Sequence, residues 1–250
     1  MEFTEQALVL RTGRFREADA WLRLLTPTRG VLTAFAFGGM KSRRRFPGCL
    51  DPLNLVLFKF GSDRRSRFLN LEEGTLLHGH PSLRKDSRCL GVAVNCLKFT
   101  EKVQIGPEGA TESFDLLLEL LALLEQRIMQ PERLPLLYRA RLGLSQGYRP
   151  DFMVCGDCGL QLNAFDNPCF FVEKGQVLCP SCRTEEERST GLDISSAALR
   201  ALEWIMTHPP GEWPRLTVPS QVRREFSLVV ERFVAYHLGL EWDGGLYRNV

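Results

Sequence analysis

The sequence predicts an α+β protein: a five-stranded β-barrel over residues 1–80, then an α-helical domain over residues 81–250 that an insert at 150–191 interrupts. Three observations predict it. Short apolar runs punctuated by Gly, Pro and Asp fill Glu5 to Leu77, which is how strands and turns read. After Pro81 the apolar spacing lengthens to a helical period. Between the two helical blocks lies a polar stretch with paired cysteines.

The strands are read in order from "QALVLRTG", "ADAWLRLLT", "GVLTAFAFG", "LNLVLFKFG" and "RFLNLEEGTLL", with "TPTRG" and "GSDRRS" as turn-like separators. In the fourth run Leu53, Leu55, Leu57 and Lys59 alternate with Asn54, Val56, Phe58 and Phe60. Both sets are largely apolar, so that strand is expected to be buried on both faces. Leu90, Val94, Leu97 and Val103 share one face of a first helix. Phe114 to Ile128 is leucine-rich almost all round, as in a helix at the centre of a bundle. Further helices are expected at Glu132 to Gln146, in "SSAALRALEWIMTH" with a serine cap, and from Ser220 to His237.

The insert reads "CGDCGLQLNAFDNPCFFVEKGQVLCPSC". Cys155 and Cys158 form one pair separated by two residues, Cys179 and Cys182 another, and a hairpin through Lys174 and Gly175 delivers the second. Two such turns complete a tetrahedral site of four sulfurs, the pattern of one structural zinc ion with no position left for substrate. Cys169 reads as a small buried hydrophobe. Two disulfides would need an oxidising compartment. The start "MEFTEQALVL" lacks the basic head of a secretory signal, and Phe114 to Leu124 is too short and too charged to span a bilayer. A cytoplasmic protein with no membrane partner is the expectation.

Catalytic signatures are missing from the sequence. "GGMKS" lacks the spaced glycine and the Gly-Lys pair of a phosphate-binding loop. Neither Gly-x-Ser-x-Gly nor GxGxxG occurs, and His78, His80, His208 and His237 provide no His-x-Glu element of a zinc deaminase. "HGH" at His78 to His80 reads as a polar turn. The chain reads as a binder and not an enzyme.

Net charge is +2, but its distribution is uneven: Met1 to Asn70 holds 13 Lys and Arg against 6 Asp and Glu. Such a basic end attracts polyanions without giving specificity. Its densest part is "GGMKSRRRFPG", where Lys41, Arg43, Arg44 and Arg45 sit on a glycine-flanked and therefore pliable loop between the third and fourth strands. Arg14 and Arg65 add positive charge, with Arg11, Arg16, Arg23, Arg64 and Arg67, and Trp21, Phe35, Phe37, Phe58 and Phe60 are interleaved with them. Small barrels of the OB type bind nucleic acid with such loops and faces. These cations are the candidate DNA contacts.

The stretch "READAWLRLLTPTRGVLTAFAFGGMKSRRRFPGCLDPLNLVLF", the leucine-rich helices, "LYRARLGLSQGYRPDFMVCGDCG" and the second cysteine pair resemble the RecO family of bacterial recombination and DNA repair proteins. The resemblance covers essentially the whole chain. It implies an N-terminal OB barrel and a helical domain interrupted by a zinc motif. It also implies binding to single- and double-stranded DNA, annealing of complementary strands, and action with RecR and single-stranded DNA-binding protein to load RecA onto gapped DNA. The resemblance further implies that a groove of the helical domain takes the acidic, Phe-ending tail of single-stranded DNA-binding protein. Association with the nucleoid during repair follows from that role. A zinc-ribbon transcription or translation accessory factor is the alternative class. Against it, the span from Cys155 to Cys182 has Lys174 alone as a cation, beside Asp157, Asp166 and Glu173. A metal-dependent nuclease would need clustered carboxylates in the barrel.

Overall fold

The N-terminal strands are β1 (Glu2–Arg14), β2 (Ala20–Thr26), β3 (Gly30–Ala36), β4 (Leu55–Gly61) and β5 (Leu69–His78). The computed structural model describes residues 2–61, 68–146, 149–184, 190–243 and 246–249. Two compact units make up the chain, Met1–Arg127 and Ile128–Val250.

In the first unit the strands close in the order β1-β2-β3-β5-β4. β4 runs antiparallel to β1 from Glu2↔Gly61 to Leu8↔Leu55, and β3 meets β5 in parallel at Ala34↔Leu69 and Phe35↔Asn70. Strand alternation sorts the side chains. Ala7, Ala20, Ala34 and Ala36 share the buried cluster with Val56, Phe58 and Phe60, small residues on three strands facing large ones on β4. The expectation that β4 is buried on both faces is corrected: Leu55, Leu57 and Lys59 are only half-buried. Lys59 pairs with Glu2 at 3.2 Å and Glu72 at 2.7 Å across the neighbouring strands, so that face of the strand looks outward. Of the "GSDRRS" separator, Gly61 closes β4 and the rest lies outside the described residues.

The turn between β2 and β3 is fixed by its own chemistry. The Arg29 N–H donates to Thr26 Oγ1 at 3.2 Å. Gly30 adopts φ +70°, where an added Cβ would stand 2.1 Å from the carbonyl oxygen of Ile105. Glycine is thus required by both conformation and close approach, and the next N–H, of Val31, donates to that same carbonyl at 2.8 Å.

Helices α1 (Pro81–Arg84), α2 (Ser87–Val103) and α3 (Ala110–Gln126) belong to this unit. Asp86 caps α2 by accepting from the N–H groups of Arg88 and Cys89 at 3.0 and 3.2 Å. The fully buried face of α2 is Cys89, Ala93, Cys96, Leu97, Phe99 and Thr100. Leu90, Val94 and Val103, expected on that face, flank it half-buried, because small side chains let the helix approach β1. Helix α3 is not the centre of a bundle. It packs on β2, β3 and α2, leaving Asp115, Glu119, Ala122 and Gln126 exposed, the amphipathic solution for a helix lying on a sheet.

The second unit contains α4 (Leu134–Leu144), β6 (Asp151–Cys155), β7 (Cys169–Phe171), β8 (Gln176–Leu178), β9 (Leu192–Asp193), α5 (Ser196–Thr207), α6 (Ser220–Leu238), β10 (Leu240–Asp243) and β11 (Leu246–Asn249). Helix α4 packs against α5 and α6. Ser195 caps α5 through Oγ, which accepts from the Ala198 N–H at 3.2 Å, and α6 stops at Gly239 with φ 60°. The small sheet runs β6-β8-β7-β9. β10 and β11 pair antiparallel from Leu240↔Asn249 to Asp243↔Leu246, an addition to the helices expected in this half. Among the described residues no helix is long and apolar enough to cross a membrane.

Candidate nucleic-acid interface and metal centre

The stretch "GGMKSRRRFPG" is tied down, by the barrel or within itself, at Gly38, Met40, Ser42, Arg45 and Phe46. The Gly38 N–H donates to Asp19 Oδ1 at 2.7 Å and the Met40 N–H to the Ala18 carbonyl at 3.0 Å. Ser42 Oγ accepts from the Arg45 N–H at 3.1 Å, and the Arg45 carbonyl accepts from Gly74 at 2.8 Å. Phe46 is only 3% exposed and joins the barrel core with Cys49. The expectation of a pliable loop is therefore corrected. Gly38 and Gly48 stand at φ 65° and 68°, so they supply left-handed turn geometry, and a Cβ added at Gly39 would come within 2.8 Å of Ala36 Cβ.

What this frame presents is charge. Lys41, Arg43, Arg44 and Arg45 are all exposed. Lys41 pairs with Glu17 and Arg45 donates to the Phe37 carbonyl. Arg43 and Arg44 have no side-chain partner among the described residues. Arg14, at the end of β1, is likewise exposed and unpaired there. Arg65 lies outside the described residues.

Beside the loop lies an aromatic cluster. Phe35, half-buried on the outer face of β3, contacts Phe15 at 5.7 Å, Phe37 at 6.1 Å and Phe68 at 5.0 Å between ring centres. Phe15 and Phe68 are more than half exposed, and Arg16 lies 5.3 Å from the Phe15 ring. Phe15 and Phe68 escaped the sequence reading. One sits in the β1–β2 connection and the other immediately before β5, and only the parallel pairing of β3 with β5 brings them together. Of the interleaved aromatics, Phe58 and Phe60 are core. Trp21 lies across Gly13, where a Cβ would come within 2.3 Å of its ring, and Arg11 stands 5.3 Å from its centre.

In the second unit, parallel pairing of β6 with β8 sets the two cysteine turns side by side. Cys155 closes β6 and Cys179 follows β8 directly. Each turn is closed by its backbone: the Gly159 N–H donates to the Cys155 carbonyl at 2.9 Å and the Cys182 N–H to the Cys179 carbonyl at 3.1 Å. Gly159 takes φ +70°. All four sulfurs lie within 4.8 Å of one another, Cys158 and Cys179 at 3.9 Å. Sulfurs held at about 2.3 Å around a tetrahedral ion would be about 3.8 Å apart. The donor set therefore fits one metal ion.

Burial of Cys155 opposes its ionisation, but the N–H groups of Cys158, Cys179 and Asp157 outweigh burial and bring its thiol down to about 6. Hydrogen bonding with Cys179 and Cys158 pushes Cys182 the other way. Four thiolates at such spacing repel one another, so collecting them requires a cation. Cys169 stands outside the sulfur group, buried against Gly191, where a Cβ would come within 2.2 Å of its Sγ.

A groove of about 440 Å³ in the second unit is lined by Arg139, Leu228, Arg232, Trp242 and Tyr247, among others. Arg139 Nη1 donates to the Tyr247 hydroxyl at 3.3 Å, and its Nε is buried without a hydrogen-bond partner.

Fold and site together define an α+β protein with a five-stranded barrel bearing a cationic, aromatic-edged surface and a second unit with a four-cysteine centre. The family description "Recombination protein O N terminal" matches residues 1–80 and "Recombination protein O C terminal" matches residues 84–244. The chain belongs to the recombination protein O family. It is 46% identical over its full length to the full-length "DNA repair protein RecO" of Oleidesulfovibrio alaskensis. Full-length proteins of the same name from Maridesulfovibrio salexigens and Lawsonia intracellularis are 43% and 35% identical to it over its whole length.

Proposed function

We propose that this chain is a non-enzymatic mediator of DNA repair and homologous recombination. It binds single- and double-stranded DNA through its N-terminal barrel, which we assign to the OB type on its closed strand order and its parallel β3/β5 pair. It anneals complementary strands and, with RecR, helps RecA onto gapped DNA covered by single-stranded DNA-binding protein. The relatives' printed name supports the repair role.

The observation that carries the DNA reading is the adjacency of a braced loop, with Arg43 and Arg44 unpaired, to the exposed rings of Phe15, Phe37 and Phe68. Guanidinium groups bind backbone phosphates without reading sequence, which suits a protein that acts at any gap. Exposed rings accept any base by stacking. Lys41, Arg45 and Arg14 extend the cationic surface in this reading, and Arg65, outside the described residues, is proposed from the sequence as a further DNA contact.

We assign one structural zinc ion to Cys155, Cys158, Cys179 and Cys182, on the sulfur spacing and the closed set of four thiols. The groove with Arg139 is the proposed seat of the acidic tail of single-stranded DNA-binding protein. The unpartnered Nε of Arg139 suits a carboxylate, and Leu228 and Trp242 suit a terminal aromatic ring. A cytoplasmic site of action, on the nucleoid during repair, follows from the proposed role.

Fluorescent oligonucleotide binding across a salt series, with strand annealing measured in parallel, tests the proposal. Salt-dependent binding of both DNA forms and annealing above the spontaneous rate are expected. Absence of both would refute it.

A further inference from the structure

Gly79 separates two histidines that the fold turns toward one carboxylate. His78 ends β5 and His80 precedes α1, yet His78 Nε2 and His80 Nδ1 each lie 3.0 Å from Glu125 Oε2, at the far end of α3. Ser82 Oγ donates to the other oxygen, Oε1, which fixes the carboxylate plane. The imidazole rings are 4.4 Å apart and nearly perpendicular. His80 reaches this position through a left-handed backbone, φ 46° and ψ 56°, uncommon for a residue with a side chain. We propose that His78, His80 and Glu125 form a second metal site, for a divalent cation of the zinc type, separate from the four cysteines.

Geometry and chemistry both favour this. The three ligand atoms lie within 4.8 Å of one another. Nitrogen and oxygen ligands about 2.1 Å from an ion are separated by about 3.0 to 3.4 Å between octahedral and tetrahedral arrangements, against 3.0 Å for both nitrogen–oxygen pairs. Two imidazoles and one carboxylate are a donor set suited to zinc, and three ligands leave a position for water. The side chain of His80 is 5% exposed, so its Nδ1 meets Glu125 largely out of contact with bulk water.

His78 is 47% exposed and provides the entry side. Arg84 is the nearby cation. Its guanidinium is held by the carbonyls of Gly79 and Pro52 and by Asn54 Oδ1, and its charge makes this site weaker than the four-thiol centre. A bound ion would staple the end of β5 to the last turn of α3.

Elemental analysis of the full-length protein after equilibration with micromolar zinc and gel filtration decides the matter. Wild type is expected to carry two zinc ions per chain, and H78A and E125Q one each, with the four cysteines intact in all three. H78A changes a half-exposed side chain and keeps the test valid if E125Q folds poorly. With cobalt as probe, the second equivalent should add weak visible bands without sulfur charge-transfer absorption, and those bands should vanish in H78A. One zinc in wild type, or a second zinc that both variants keep, would overturn the site, leaving a pair of imidazole–carboxylate hydrogen bonds.

Discussion

Arg45 Nη2 donates to the carbonyl oxygen of Phe37 at 2.5 Å, and the same guanidinium lies 5.2 Å from the centre of the Phe46 ring. The arginine nearest the barrel is thus part of the loop's frame, whereas Arg43 and Arg44 stand clear of it. Four neighbouring cations have different jobs.

Replacing Arg43 and Arg44 together with alanine should weaken binding to any DNA sequence alike. The slope of log affinity against log salt should fall by about 1.4 for single strands and about 1.8 for duplex, two phosphate contacts' worth. Thermal stability should not change, since exposed, unpaired charges contribute little to folding. Isotherms at several salt concentrations, with melting curves, check both. An unchanged slope removes these arginines from the interface.

Phe46→Ala tests the frame from inside. Emptying a buried phenylalanine site costs about 3–5 kcal/mol, and here the lost ring also anchors the loop. Denaturant unfolding should show that loss, and DNA affinity should drop although no cation has been removed.

The exposed rings act differently from the charges. Phe15→Ala with Phe68→Ala should cost single-strand affinity about 1–3 kcal/mol for each base that stacks. Duplex affinity and the salt slope should stay close to wild type, because paired bases offer no free face. Equal loss on both DNA forms would contradict stacking.

Cys158→Ser should release the metal assigned to the four-cysteine centre, and Cys169→Ser should retain it. Structural zinc sites contribute roughly 10 to 16 kcal/mol of apparent binding free energy in small peptides, so the first variant should also melt earlier. Elemental analysis after gel filtration separates the two cases.

Acid should loosen the junction of β5 with α3. Burial lowers the His80 pKa from 6.5 even though the Glu125 hydrogen bond pulls it upward. Burial raises that of Glu125, but the hydrogen bonds from Ser82, His78 and His80 outweigh it and leave it below 4.5. Neighbouring His78 and Arg84 add repulsion against protonated His80. Both groups bind protons more readily unfolded than folded, so stability rises with pH through this region and is lost as pH falls, first below about 6.5 and then below about 4.5. Urea titrations with chelator at pH 7, 5.5 and 4 should show both declines. E125Q should flatten the lower one.

Strand runs and cysteine pairs were legible because their signals are local: alternation over seven residues, or two thiols three positions apart. The five strands and the hairpin that delivers Cys179 follow from such signals. What the sequence concealed depends on distant contact. Phe46 looked like part of a basic loop because its burial comes from strands far from it in the chain. Phe15 and Phe68 are separated by more than 50 positions and meet over Phe35 only through the closed sheet. Glu125 is 45 residues from His80, so "HGH" read as a turn. The leucines of α3 look the same whether the helix lies in a bundle or on a barrel, and its contacts with β2 and β3 decide between them.

Gly30 leaves no space between the β2–β3 turn and the carbonyl of Ile105, and Val31 is hydrogen-bonded to that carbonyl. The family descriptions part at residues 80 and 84, but a fragment cut there would leave the Val31 N–H without its acceptor and uncover the strands on which α2 and α3 rest. The barrel is therefore not a transplantable cassette: a workable expression fragment has to continue to Arg127, and a graft onto another protein must bring its helices along.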